Sequence, residues 1–303
     1  MNLFREKLAQ ASKLVAESEL DAWLIFVRET ANGCDSVLPL ILEGSLTWQS
    51  ALLLTRDGRK IAIVGNYDAD PLIKSGDWDE VIPYVQSIRE PLCQAIDGIH
   101  SDATLTKIGL NYSANDDKAD GLSHGMFLLL QDYLREATVV FVSAEELAIT
   151  LRARKTREEI RRMREAIRET DRLFKEIALF AHRRRVSERD VYNHVHLLMK
   201  ESGLGFAWDP VGDPIVNSGP ESMIGHGVPS ETITLQEGHI FHVDLGVEKD
   251  SYCSDLQRCW YAGSYVPDDV TRALEAVNRA ITAAAGALLP GTAGHLVDAA
   301  ARS

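Results

Sequence analysis

The sequence predicts an α/β domain followed by an α+β domain, and three observations carry that prediction. Strand-length apolar runs alternate with helical patterns through roughly the first 140 residues. Two helix-start signals then lie close together, at Ser143 and Thr156, each leading into an amphipathic stretch. From Gly203 the texture changes again, to Gly, Pro, Asp and Ser, and ends in a strand, a turn and a strand between Glu237 and Gly263. A length of 303 residues, at about 150 per domain, agrees with two domains. The expected division is 1–143 and 144–303.

The elements follow in order. Leu8, Ala11, Leu14 and Val15 have helical spacing. Ala22 to Val27 is an apolar run of strand length, and Ala51 to Thr55 and Lys60 to Gly65 are two more, separated by the hairpin signal Asp57-Gly58. Asp79 to Val85, Lys107 to Tyr112 and Thr138 to Val142 complete the strands of this domain. Ser143-Ala-Glu-Glu146 and Thr156-Arg-Glu-Glu159 each fit a capping box, in which a hydroxyl and a glutamate three residues on satisfy each other's free backbone N–H. After the second, Ile160, Met163, Ile167, Phe174, Ile177 and Ala181 share a helical face. The basic knot His182-Arg-Arg-Arg185 complements the dipole where that helix ends. Ser187 opens a further helix with Val191, Val195 and Leu198 inward, and Asp268 or Asp269 caps a last long one.

Composition excludes several classes. Lys and Arg total 32 against 45 Asp and Glu, a formal charge of −13, which argues against general binding to a phosphate backbone. No window has the roughly 18 apolar residues of a membrane span, and the charged N-terminus has no apolar signal core. Cys34, Cys93, Cys253 and Cys259 form no CxxC pair and read as reduced thiols of a cytoplasmic protein. His194 and His196, two apart on a helix, do not share a face and are not read as a metal pair.

The chemistry is expected at His242-Val-Asp244-Leu-Gly246 and Tyr252-Cys-Ser-Asp255-Leu-Gln-Arg258. With Glu248 to Ser251 as a four-residue loop, Asp244 falls directly opposite Asp255 on one face, and Val243 and Leu256 take the other. Directly opposed side chains lie about 5 Å apart at Cβ. Two carboxylates at that range repel, and a divalent cation relieves the repulsion by binding both. On spacing alone, two partly solvated aspartates on an edge hairpin fit equally well. His226, between Gly225 and Gly227 and eighteen residues before Asp244, adds a third polar group.

These residues resemble the pita-bread metallopeptidases, the clan of methionine aminopeptidase, Xaa-Pro aminopeptidase and prolidase: a histidine in a Gly/Pro loop, then Asp-x-Gly, then Tyr-x-Ser-Asp-x-x-Arg. The resemblance extends from about residue 145, and the preceding domain looks like the creatinase/prolidase N-terminal domain. It implies an α/β domain followed by an α+β pita-bread domain in which Asp244 binds one metal, Asp255 bridges two and His226 contacts the scissile peptide group or the intermediate's oxygen. Two divalent ions, Mn, Co or Zn, would activate a water for exopeptidase cleavage of short Xaa-Pro peptides, as aminopeptidase or dipeptidase. A homodimer is also implied. Trp208 and His242 are candidates for the substrate pocket, each with a plain packing role as the alternative.

The sequence also departs from that family. A further histidine and two glutamates are expected beyond Pro290-Gly291, and the only later histidine, His295, lacks the Gly-His-Gly setting and is not assigned. The sequence ends at Ser303 inside a helical pattern, so the expectation is a pita-bread domain incomplete at its C-terminus, with metal weakly bound or absent in this chain. The alternatives are a non-peptide C–N hydrolase or lyase on the same fold, or an inactive binding module.

Overall fold

The computed structural model describes residues 3–33, 35–99, 105–183, 185–223, 225 and 227–303. Contacts divide the chain into two compact units, Met1–Ile160 and Arg161–Ser303.

The first unit runs α1 (Leu3–Glu17), β1 (Ala22–Val27), α2 (Leu38–Ile41), β2 (Ser50–Thr55), β3 (Lys60–Gly65), α3 (Ala69–Ser75), β4 (Glu80–Tyr84), α4 (Arg89–Asp97), β5 (Thr106–Leu110), α5 (His124–Tyr133), β6 (Val139–Ser143) and α6 (Glu145–Ala153). Its six strands lie in the order β4-β3-β2-β1-β5-β6. The expected Asp-Gly turn joins β2 to its antiparallel neighbour β3, with Gly58 at φ 91°, a backbone that favours glycine. Every residue of β1 is buried. The two-residue alternation of a strand explains how. Trp23, Ile25 and Val27 join Leu8 and Ala11 of α1 and Leu151 of α6, while Ala22, Leu24 and Phe26 join Leu92 of α4 and Leu130 of α5. Helices therefore cover both faces of this sheet, which is why its central strands read as unbroken apolar runs.

The contact boundary lies after Ile160, later than the expected break after residue 143, because α6 packs into the first core through Leu147, Ala148 and Leu151. A buried ion pair ties the following link down as well. Lys7, fully buried, donates to the carbonyls of Leu151 and Arg154 and lies 3.2 Å from the Glu159 carboxylate. The box at Thr156 is present: Glu159 Oε2 accepts from Thr156 N at 2.6 Å, and Thr156 Oγ1 accepts from Glu159 N at 3.3 Å. The box expected at Ser143 does not form. Ser143 closes β6, its hydroxyl donates to the Tyr112 carbonyl, and Ala144 stands at the cap of α6.

The second unit carries most of α7 (Arg157–Ala181), then α8 (Glu188–Glu201), β7 (Gly205–Phe206), β8 (Ile215–Ser218), β9 (Ile240–Leu245), β10 (Val247–Lys249), β11 (Tyr252–Cys253), β12 (Leu256–Tyr261), α9 (Asp268–Ala287) and α10 (Gly294–Arg302). Two three-stranded sheets have the orders β11-β10-β7 and β12-β9-β8. α7 turns Ala166, Leu173, Phe174 and Ile177 inward against Val216, Phe241, Val243 and Leu245. Ile160 and Ile167, expected on that face, are 39% and 38% exposed. Ser187 and Asp190 form a full capping box on α8. α9 and α10 bury none of their residues.

Candidate active site

The hairpin forms, with a different turn from the one expected. Lys249 pairs with Tyr252 and Glu248 with Cys253, so the loop is only Asp250-Ser251. Both residues have positive φ, 51° and 64°, the backbone of the two-residue turn that matches strand twist. This tighter turn slides the register by two residues. Asp244 lies opposite Gln257, and Asp255 falls opposite Gly246, because the Leu245–Leu256 and Glu248–Cys253 pairs on either side keep one register. The directly opposed acid pair is therefore corrected to a diagonal one. A slip of two preserves the face, so the two carboxylates occupy adjacent positions on it, a separation of about 7–8 Å for such neighbours.

The sheet β12-β9-β8 divides its chemistry by face. Val216, Phe241, Val243, Leu245 and Trp260 pack into the core. Asn217, His242, Asp244, Gln257 and Cys259 alternate with them and take the other side. Asp244 is half-buried and Asp255 exposed. Contacts on the core side hold the segment around Asp255. Ser254 Oγ accepts from Val247 N at 3.0 Å and meets Thr170 Oγ1 at 2.6 Å, while Arg258 donates to Asp171 of α7 at 2.9 Å.

Gly246 shows why Trp208 belongs to this neighbourhood. A Cβ added there would meet Trp208 Cζ3 and Ala207 Cβ at 2.5 Å and the Ser254 carbonyl at 2.6 Å, so the indole edge closes directly over the backbone. The indole N–H donates to the Gly212 carbonyl at 2.7 Å. Asp213, which the sequence reading missed, clips this loop to the sheet: its carboxylate accepts from Gly246 N at 3.3 Å and Ala207 N at 3.2 Å. Asp213 is fully buried, and burial pushes its carboxyl up to about 7 despite those hydrogen bonds.

His242 does not touch Asp244 directly. Its Nε2 faces Gln257 Oε1 at 3.1 Å, and Gln257 Nε2 donates to Asp244 Oδ2 at 3.0 Å. Its Nδ1 faces Asn217 Oδ1 at 3.1 Å. Gln257 and Asn217 were also missed; the register that places them opposite Asp244 and His242 was the signal. His226, Cys34 and Arg184 lie outside the described residues. The loop whose sequence holds His226 is anchored at both ends by buried Glu188, which accepts from Ser218 N and Ser230 N, each at 2.9 Å. His194 and His196 serve packing, stacked on Phe180 and tilted against Tyr192 and Phe206. Cys93, Cys253 and Cys259 carry no disulfide.

Two carboxylates on one face supply the hard oxygen donors that suit a divalent cation. They amount to part of a donor set, because among the described residues no group of three or more His, Cys, Asp or Glu is placed to hold a metal. No helix among them is long and apolar enough to cross a membrane.

Residues 161–303, which include Asp244, Asp255 and the sheet that presents them, match metallopeptidase family M24. The C-terminal half of the chain belongs to that family. The whole chain shares the pita-bread prolidase fold with M24-type solved structures. An Xaa-Pro dipeptidase from Bacillus anthracis aligns over 99% of this chain and 76% of its own at TM-score 0.69 and 23% identity. The dipeptidase PepE of Mycobacterium ulcerans aligns over 99% and 75% at TM-score 0.72 and 23% identity. In sequence, an Xaa-Pro dipeptidase of Pyrococcus furiosus is 33% identical over 171 residues, 54% of this chain and 45% of that protein. The chain spans half or less of the length of the curated relatives it matches.

Proposed function

We propose that the whole protein is a metal-dependent exopeptidase that hydrolyses short proline-containing peptides as an Xaa-Pro aminopeptidase or dipeptidase. The observation that carries this reading is the placement of Asp244 and Asp255 at adjacent positions on one face of the β9–β12 ribbon, inside the segment that matches an M24 peptidase. Asp244 and Asp255 would hold divalent metal, Mn, Co or Zn, with further donors needed to complete a dinuclear site. When bound, such ions polarise the substrate carbonyl and lower the pKa of a bound water. The chain's own residues do the rest. Gly246 lets the Trp208 ring close over the strand, where it offers an apolar wall to a proline ring. Glu188 anchors the ends of the loop from which His226 would reach the scissile peptide group. His242 acts through Gln257 on Asp244. The names of the relatives support Xaa-Pro cleavage, and the unlinked cysteines support a cytoplasmic location.

The test uses the full-length protein. Xaa-Pro dipeptide hydrolysis is expected to vanish on chelation, return with divalent metal, and stay absent in Asp255→Ala. Turnover unaffected by chelator or by that substitution rejects the reading. Turnover of amidines or non-peptide amides in place of peptides would move the assignment to another C–N hydrolase. Light scattering tests the homodimer that the resemblance implies.

A further inference from the structure

We infer that Gln257 and His242 are positioning residues that aim the Asp244 carboxylate, with Asn217 fixing the ring of His242. The inference rests on the proposed role of Asp244 as a metal ligand. It follows from donor and acceptor chemistry along one line across three strands. An ionised carboxylate only accepts hydrogen bonds, so the Gln257 amide must present its nitrogen to Asp244 Oδ2, as it does at 3.0 Å. Its oxygen then faces away and meets His242 Nε2 at 3.1 Å, a nitrogen that donates. The other ring nitrogen meets Asn217 Oδ1 at 3.1 Å. Asn217 cannot turn without loss, since its amide nitrogen donates to the Met223 carbonyl at 2.8 Å and to Ser222 Oγ at 3.2 Å. Each member thus fixes the orientation of the next, from the loop at Met223 to the acid.

Core packing does not explain these side chains. None belongs to the apolar cluster beneath the sheet, and register places Asn217 opposite His242 and Gln257 opposite Asp244 on its other face. Partners of this kind, which orient a metal-binding side chain without touching the metal, are worth about 10–100-fold in metal affinity.

The 303-residue chain is titrated with Tb³⁺, an oxygen-seeking probe, while its luminescence is excited through tryptophan. Trp208, against Gly246, is the antenna. The parent chain is expected to give a saturable signal, and Asp244→Asn and Asp255→Asn to abolish it. Gln257→Met and His242→Leu should each weaken apparent affinity about tenfold or more, with melting temperature unchanged. His242→Gln, which keeps a donor for Gln257 Oε1, should restore most of the loss, a rescue that a general packing defect would not show. A parent chain without a saturable signal overturns the role of Asp244 and the inference with it. A parent that binds while Gln257→Met and His242→Leu bind equally well overturns the inference alone.

Discussion

The sheet of the first unit and the β12-β9-β8 sheet of the second bury their strands differently. In β1 all six residues are buried, three toward each helical layer. In β9 burial alternates, with Phe241, Val243 and Leu245 inward and His242 and Asp244 half-exposed. A strand buried on both sides has no place for a solvated functional group. A strand buried on one side stabilises itself with alternate residues and leaves the others for chemistry. The polar line from Asn217 to Asp244 needs that second arrangement.

The largest expected effect concerns pH. Burial raises the Asp213 carboxyl to about 7 in the folded second unit, against a model value of 3.8. Its contribution is complete below about pH 4 and lost as pH rises to about 7, because the unfolded chain ionises first. At 1.36 kcal/mol per pK unit this amounts to roughly 4 kcal/mol. Amide hydrogen exchange of β9 at pH 5 and pH 8 should show the loss, and Asp213→Asn should flatten it. Equal protection at both pH values in the parent chain would remove Asp213 from the account.

Substitution along the strands should follow. Leu24→Ala and Ile25→Ala, successive residues of β1, are each expected to cost about 2–5 kcal/mol in urea unfolding. In β9, Leu245→Ala should cost a similar amount while Asp244→Asn stays within about 0.5 kcal/mol. A large loss for Asp244→Asn would mean that the outer face of β9 is structural after all. Gly246→Ala should fall between, at roughly 1–3 kcal/mol, since the new methyl meets Trp208, Ala207 and the Ser254 backbone together. A shifted Trp208 fluorescence should accompany it.

The same contrast explains what could be read from the sequence. The alternation of β1, β2 and β3 with helices was legible because burial on both faces leaves unbroken apolar runs and Asp57-Gly58 marks its turn. The site was legible in its residue types and its face. Its register was not, because Asp250 and Ser251 both adopt positive φ, which neither residue type announces as glycine would. Nor could spacing reveal Asp213, which reaches Gly246 from a loop 33 positions away. The α7 stripe was misplaced because Ala166 and Thr170, small and unremarkable in sequence, sit fully buried while Ile160 and Ile167 face outward.

The smallest expected effect separates the two capping signals. Thr156-Arg-Glu-Glu159 and Ser143-Ala-Glu-Glu146 have the same pattern, yet only the first closes. At Thr156 both backbone donors are satisfied reciprocally, and Glu159 is also held by Lys7. At Ser143 the hydroxyl is committed to Tyr112, and Glu146 stays exposed one position too early in α6 to act as a box partner. Thr156→Ala is therefore expected to cost about 1 kcal/mol in urea unfolding. Glu146→Ala, on an exposed position without a capping bond, should stay within about 0.5 kcal/mol. Equal losses at the two positions would mean that the second pattern also caps its helix in solution, and that the Tyr112 contact does not hold Ser143 in β6.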